Sequence, residues 1–173
     1  MKYLLLDNLL HTIELNYDDR IVLVNNTFIQ YGNYPLTEID TLESQKALTL
    51  MYGDHSLEII HELLKPMHDM SITYGEILAL RMIMLWNPGS IGLTPQTIEI
   101  VQRASEKAIK ELQNWFEINK MDDGKTRLAN LLLLLTPLAK HTQCLTDITS
   151  TIPGFGVMQE WDLFMSDLLR SFP

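Results

Sequence analysis

The residues able to do chemistry are few, and their spacing decides what they can do. His61-Glu62 opens like the helical zinc-protease motif, but the residue four after His61 is Lys65. A second histidine is needed there to place two imidazoles on one helix face around a metal. Glu58, His61 and Glu62 therefore read as a solvated helix face, and no metal is expected. Gly124-Lys125-Thr126 has the ending of a phosphate-binding loop, yet the position five before Gly124 is Asn119 where that loop needs glycine, and no strand precedes it. A turn opening a helix accounts for it. The single cysteine, Cys144, offers neither an internal disulfide nor a four-thiolate zinc site, and nothing pairs it with His141 as nucleophile and base. No acid, base and nucleophile come together, so the chain is not expected to be an enzyme.

The elements that carry these residues read as helices. The chain has 173 residues, 46% of them apolar and 20% charged, the composition of a folded domain. Lys and Arg number 13 against 22 Asp and Glu, a net charge of −9, which argues against direct nucleic-acid contact. The longest uninterrupted apolar runs, Met82 to Trp86 and Leu131 to Leu135, are far short of the ~20 residues that cross a bilayer, so no membrane association is expected. A single cysteine fits a reducing compartment.

The dominant period is 3.6, which predicts an all-α chain, and the length of 173 residues predicts a single domain over 1–173. Leu5, Leu6, Leu9, Leu10 and Ile13 form one stripe of a first helix over 1–15. A second helix is predicted over 18–31, ended by Gly32, Asn33 and Pro35. Residues 36–54 suggest a small hairpin or an irregular stretch. A third helix starts near Ser56 with Leu57, Ile60, Leu63 and Leu64 buried, and Pro66 must kink or split it. Thr73 and Glu76 form a capping box for a helix to Trp86. Thr94-Pro95 opens another to about Asn119, with Val101, Ala104, Ala108, Leu112 and Trp115 inward and Glu106–Lys110 as an exposed i,i+4 pair. A long helix over 125–147 carries Pro137 as a kink, a linker follows over 149–156, and a last amphipathic helix spans about 157–170. Leu-x-x-Leu-Leu occurs at Leu6–Leu10 and Leu128–Leu132, and a wide apolar helix face explains both.

Four of these pieces, in order, resemble the ligand-binding domain of nuclear hormone receptors, with the divergent nematode branch as the nearest type. Leu15-x-x-Asp18-Asp19-Arg20-Ile21-x-Leu23-Val24 is similar to the signature where the family's third helix passes into the fourth and fifth. Glu76-x-x-x-Leu80-Arg81 with Trp86-Asn87-Pro88 and Gly92-Leu93 is similar to helix eight and its exit. Arg127-Leu128-x-x-Leu131-Leu132-Leu133-x-Leu135-x-Pro137-Leu138 is similar to the start of helix ten. Phe164-Met165-Ser166-Asp167-Leu168-Leu169 is similar to the mobile activation helix.

The resemblance implies a three-layer antiparallel helical sandwich without its first helices and without a DNA-binding domain. It implies a ligand-regulated transcription factor domain in the nucleus that takes an apolar small molecule, helical Leu-x-x-Leu-Leu coregulator peptides, or both. Leu23 and Val24 would floor the coregulator groove, with Asp18 and Arg20 in its signature. Phe164, Met165, Leu168 and Leu169 would dock the activation helix, and Asp167 would face the partner. The basic residue that closes the other end of the groove aligns with Asp7, and a second basic position aligns with Asn25. Glu76 and Arg127 would form a structural ion pair. No arginine lies between Arg20 and Arg81 to anchor an acid group, so any ligand is expected to be neutral or weakly polar. The alternative is a ligand-free interaction module that dimerises, through the long helix over 125–147, with its own kind or with receptor partners, or sequesters them through Leu6–Leu10.

Overall fold

The computed structural model describes residues 2–24, 26–31, 49, 53–121 and 123–151. Their order is α1 (Lys2–Glu14), β1 (Arg20–Val22), β2 (Phe28–Gln30), α2 (Asp54–Ile59), a π-helical turn (Ile60–Leu64), α3 (Lys65–Asp69), α4 (Tyr74–Leu85), α5 (Pro95–Ile118), α6 (Gly124–Leu133) and α7 (Leu135–Thr151). The chain is all-α in class, with one two-stranded ribbon among the described residues. No described helix is long and apolar enough to cross a membrane. The chain groups into two compact units, Met1–Ser71 with Pro137–Pro173, and Ile72–Thr136.

In the first unit, α1 buries Leu5, Leu6, Leu9 and Leu10 as its stripe requires. The helix predicted over 18–31 is instead an antiparallel hairpin, with Ile21 opposite Ile29 and Val22 opposite Phe28. Ile21, Val22, Val24, Thr27 and Ile29 are β-branched, a composition that favours extended backbone over helix. Asn26 makes the turn with φ 64°, a left-handed conformation that asparagine tolerates. Its N–H donates to the Leu23 carbonyl at 2.8 Å, and the Leu23 N–H donates to Thr27 at 2.8 Å.

Pro66 does not end its helix. The backbone widens over Ile60–Leu64 so that the Lys65 N–H reaches the Ile60 carbonyl, and Pro66 then falls at the start of α3. The wider turn lets the chain pass a residue that has no N–H to give and whose ring crowds the preceding carbonyls. Leu63, Leu64 and Met67 are fully enclosed along this run.

In the second unit, α4 starts at the predicted capping box. The Glu76 N–H donates to Thr73 Oγ1 at 3.4 Å, and the Thr73 N–H donates to Glu76 Oε2 at 2.8 Å. Thr94 caps α5, accepting from the Thr97 N–H at 3.2 Å, with Pro95 in the first turn. On α5 the side chain of Glu106 accepts from Gln102 at 3.2 Å, one turn before it. Asp123 turns the chain with φ 60°, and a Cβ on Gly124 would lie 3.1 Å from Phe116 Cβ, so α5 and α6 approach closely there.

The helix expected over 125–147 is divided at Leu134, three residues before Pro137. In a continuous helix the Pro137 ring would collide with the carbonyl four residues back, that of Leu133, which is the last residue of α6. At its other end α7 runs on to Thr151, through the start of the predicted linker. Thr149 Oγ1 donates to the Leu145 carbonyl at 2.6 Å and Thr151 Oγ1 to the Ile148 carbonyl at 2.8 Å, so hydroxyls satisfy carbonyls of the last turns. The predicted last helix and most of 36–54 lie outside the described residues.

Candidate functional site

The junction of α1 with the hairpin holds one of the expected groove residues, Val24. Two polar side chains one turn apart on the apolar stripe of α1 hold it. Thr12, fully buried, accepts from the Val22 N–H at 2.7 Å and donates to the Asn8 carbonyl at 2.7 Å. Asn8 Oδ1 accepts from the Val24 N–H at 3.1 Å. His11 and Asn26 add a contact at 3.1 Å. Asp7, half-buried, precedes Asn8 on α1. Leu23 is half-buried and Val24 is 58% exposed, both leading into the turn of the ribbon and not on a helix.

Arg20 works within the hairpin. Its guanidinium makes two bonds of 2.7 Å to Asp19, and it lies 4.9 Å over the Tyr17 ring and 5.1 Å over the Phe28 ring. Gln30, its cross-strand partner, donates to the same Asp19 carboxylate at 2.9 Å. The Arg20 guanidinium holds the Asp19 carboxyl below its usual range. Asp18 is exposed in the bend before β1. Phe164, Met165, Asp167, Leu168, Leu169 and Asn25 lie outside the described residues. Asn8 and Thr12 are the residues that sequence reading passed over. Their signal was a pair of polar side chains at i,i+4 inside a leucine stripe.

The expected ion pair is present. Arg127 Nε donates to Glu76 Oε1 at 2.5 Å and Arg127 Nη2 to Glu76 Oε2 at 2.9 Å. The Thr73 hydroxyl also donates to Oε2, at 2.9 Å. Glu76 is completely buried, while Arg127 keeps 19% exposure. Burial pushes the Glu76 carboxyl up, but Arg127 and the Thr73 donors outweigh it and hold the group below its ordinary range. One carboxylate thus caps α4 and clamps α6 to it.

Between α4 and α5 lies an open apolar groove of about 430 Å³, lined by Leu78, Ala79, Met82 and Trp86 on one side and Ala104, Ala108 and Trp115 on the other. Of the inward face expected of α5, Ala104, Ala108, Leu112 and Trp115 line this groove, and Val101 is buried without lining it. Ala104 and Ala108 are too small to fill it, so Leu78 and Met82 stay 40% and 44% exposed. Lys107 and Glu111 stand at its edge.

Both Leu-x-x-Leu-Leu segments are structural. Leu6, Leu9 and Leu10 are 1%, 0% and 8% exposed, and Leu128 and Leu131 are 9% and 0%. The burial closes the route by which Leu6–Leu10 would capture a partner.

An all-α chain with this signature, capping box and cross-helix ion pair has the features of a receptor ligand-binding domain. The sequence profile described as the ligand-binding domain of nuclear hormone receptor matches residues 1–149, and the chain belongs to that family. The nuclear hormone receptor family member nhr-16 of Caenorhabditis elegans is 24% identical over 132 residues, covering 76% of this chain. The chain spans about a third, 34%, of the length of that curated relative.

Proposed function

We propose that this chain is the ligand-responsive domain of a nuclear transcription regulator, taking an apolar, neutral or weakly polar small molecule, helical coregulator peptides, or both. The observation that carries this reading is the family match over residues 1–149. Domains of this family are in general not enzymes, and the role proposed is one of binding. The mechanism is a two-position activation helix at Phe164–Leu169. A ligand in an interior cavity favours the docked position, and docking completes a groove whose floor includes Leu23 and Val24. Asp167 meets the positive N-terminal end of the bound helix. Asp7 stands where its negative C-terminal end would prefer a cation.

Titration with a labelled Leu-x-x-Leu-Leu peptide by fluorescence anisotropy tests the groove. The reading expects weak binding by the native chain and a gain approaching roughly tenfold for Asp7→Lys, smaller at high salt. Tight native binding that Asp7→Lys leaves unchanged refutes this placement. Lipid extraction with native mass spectrometry tests the ligand. A stoichiometric neutral lipid supports the reading, and saturable binding of a fatty acid lost on esterification overturns the ligand class.

The second reading, a ligand-free dimerising module, is favoured by Leu133, which leaves 69% of its surface exposed at the end of α6. An empty, dimeric protein in the same native spectra, made monomeric by Leu133→Glu, is its expected outcome.

A further inference from the structure

Within the first unit, three side chains from two separate stretches of the chain converge on one point. His55 and Glu58 lie one turn apart on α2, a spacing that places them on the same face. His141 comes from α7. One ring nitrogen of each histidine and a carboxylate oxygen of Glu58 all lie within 4.8 Å of one another. The two rings are tilted by 49° with centroids 5.0 Å apart.

One buried nitrogen of each ring, Nε2 of His55 and Nδ1 of His141, has no hydrogen-bond partner among the described residues. His141 is 0% exposed and its Nδ1 makes no hydrogen bond; His55 Nε2 is likewise enclosed and unbonded. Buried polar atoms are paired in the great majority of cases, because leaving one unpaired forfeits its hydration without return. Two such atoms beside one carboxylate call for an occupant that accepts lone pairs.

The far side of His141 is prepared for that role. Its Nε2 lies 2.8 Å from Glu62 Oε2, so the Nε2–H donates to the carboxylate and the lone pair falls on Nδ1. A carboxylate behind an imidazole is the arrangement that orients metal-ligating histidines and raises their basicity. Burial also holds both histidines below their ordinary pKa, which keeps the rings neutral near neutrality. Lys140 Nζ bridges Glu58 at 3.1 Å and Glu62 at 2.9 Å, and with half of its surface in water it can swing away.

We propose that His55, Glu58 and His141 form a divalent zinc-type metal site, with Glu62 as its hydrogen-bonded support and a fourth position open to water. Two imidazoles and one carboxylate suit zinc and neighbouring transition ions and disfavour calcium or magnesium. Tetrahedral ligation at about 2.1 Å sets the ligand atoms about 3.4 Å apart, which requires a small closing motion from the observed spacing. Glu58, half-exposed, has the freedom to supply it. Metal binding would tie α2 to α7 through residues remote in sequence.

The test uses the full chain, stripped by chelator and titrated calorimetrically with Zn²⁺ at neutral pH, with Co²⁺ as the spectroscopic probe. The expected result is saturable one-to-one binding, a raised melting temperature, and visible tetrahedral Co²⁺ bands. His55→Ala should weaken binding at least ~100-fold, and Glu62→Gln about 10–100-fold although it touches no metal. His61→Ala, on an exposed neighbour, should leave binding unchanged. His141 is enclosed, so His55→Ala and Glu58→Gln carry the test if a His141 variant fails to fold, with circular dichroism confirming their helicity. No saturable binding, or binding that survives both His55→Ala and Glu58→Gln, overturns the proposal and leaves a bridging water as the occupant.

Discussion

Replacing Glu76 by alanine removes a carboxylate that joins α4, its cap and α6. The Arg127 guanidinium loses both its bonds to that carboxylate, and the Thr73 N–H and hydroxyl lose their acceptor at the start of α4. Breaking a buried pair from one side costs about 3–5 kcal/mol, because the remaining charge stays poorly hydrated. Arg127 keeps 19% exposure and water partly reaches it, which places the charge cost near the lower end, about 3 kcal/mol. Loss of the carboxylate half of the capping box adds about 1 kcal/mol, while Thr73 Oγ1 keeps its bond from the backbone N–H of residue 76. The combined loss of about 4 kcal/mol lowers the urea midpoint by roughly 1–4 M. Tryptophan fluorescence reports it, since the Trp115 ring would lie 3.6 Å from a Cβ placed on Gly75 in the first turn of α4. Glu106→Ala, at an exposed position, should move the midpoint by no more than about 0.5 kcal/mol. The double variant Glu76→Ala/Arg127→Ala should be less damaging than the sum of the single ones. Equal midpoints for Glu76→Ala and Glu106→Ala, or strict additivity in the double variant, would refute the reasoning.

Acid should act on the two units in different windows. Burial holds His55 and His141 below the ordinary value of 6.5, so the unfolded chain binds their protons first. Their contribution is complete above about 6.5 and is lost as pH falls through the folded values. Glu76 is held below its ordinary 4.5, so its contribution is present above that value and fails only in stronger acid. Melting temperature followed against pH should fall in two stages, and a rise on acidification from neutrality to about pH 5 would contradict the first. Thr12→Val should cost about 1–3 kcal/mol and accelerate hydrogen exchange at the Val22 amide, which would lose its acceptor. Gly53→Ala should destabilise by about 1–3 kcal/mol in thermal melts, because the added Cβ overlaps the Thr49 carbonyl oxygen.

The local features of this chain were readable from its residues. Thr73 with Glu76 and Thr94 with Pro95 start helices because a cap is satisfied within four residues of itself. Leu5, Leu6, Leu9 and Leu10 announce a buried face by period alone. Pro66 and Pro137 disturb their helices through a missing N–H and a crowded ring, although how the backbone absorbs each, by widening before Pro66 and by breaking at Leu134, depends on the packing around it. The 18–31 segment shows where that reading stops. Its apolar residues fit a helix tolerably, but Asn8 and Thr12 on α1 offer acceptors to the Val24 and Val22 amides, and extended backbone can take them. Glu76 with Arg127 came from the resemblance, and His55 with His141 came from neither source. Caps, breaks and stripes involve neighbours a turn apart, so sequence determines them. Which distant groups share a buried space, and what an enclosed charge or nitrogen then needs, depends on distance and desolvation that only the tertiary structure decides.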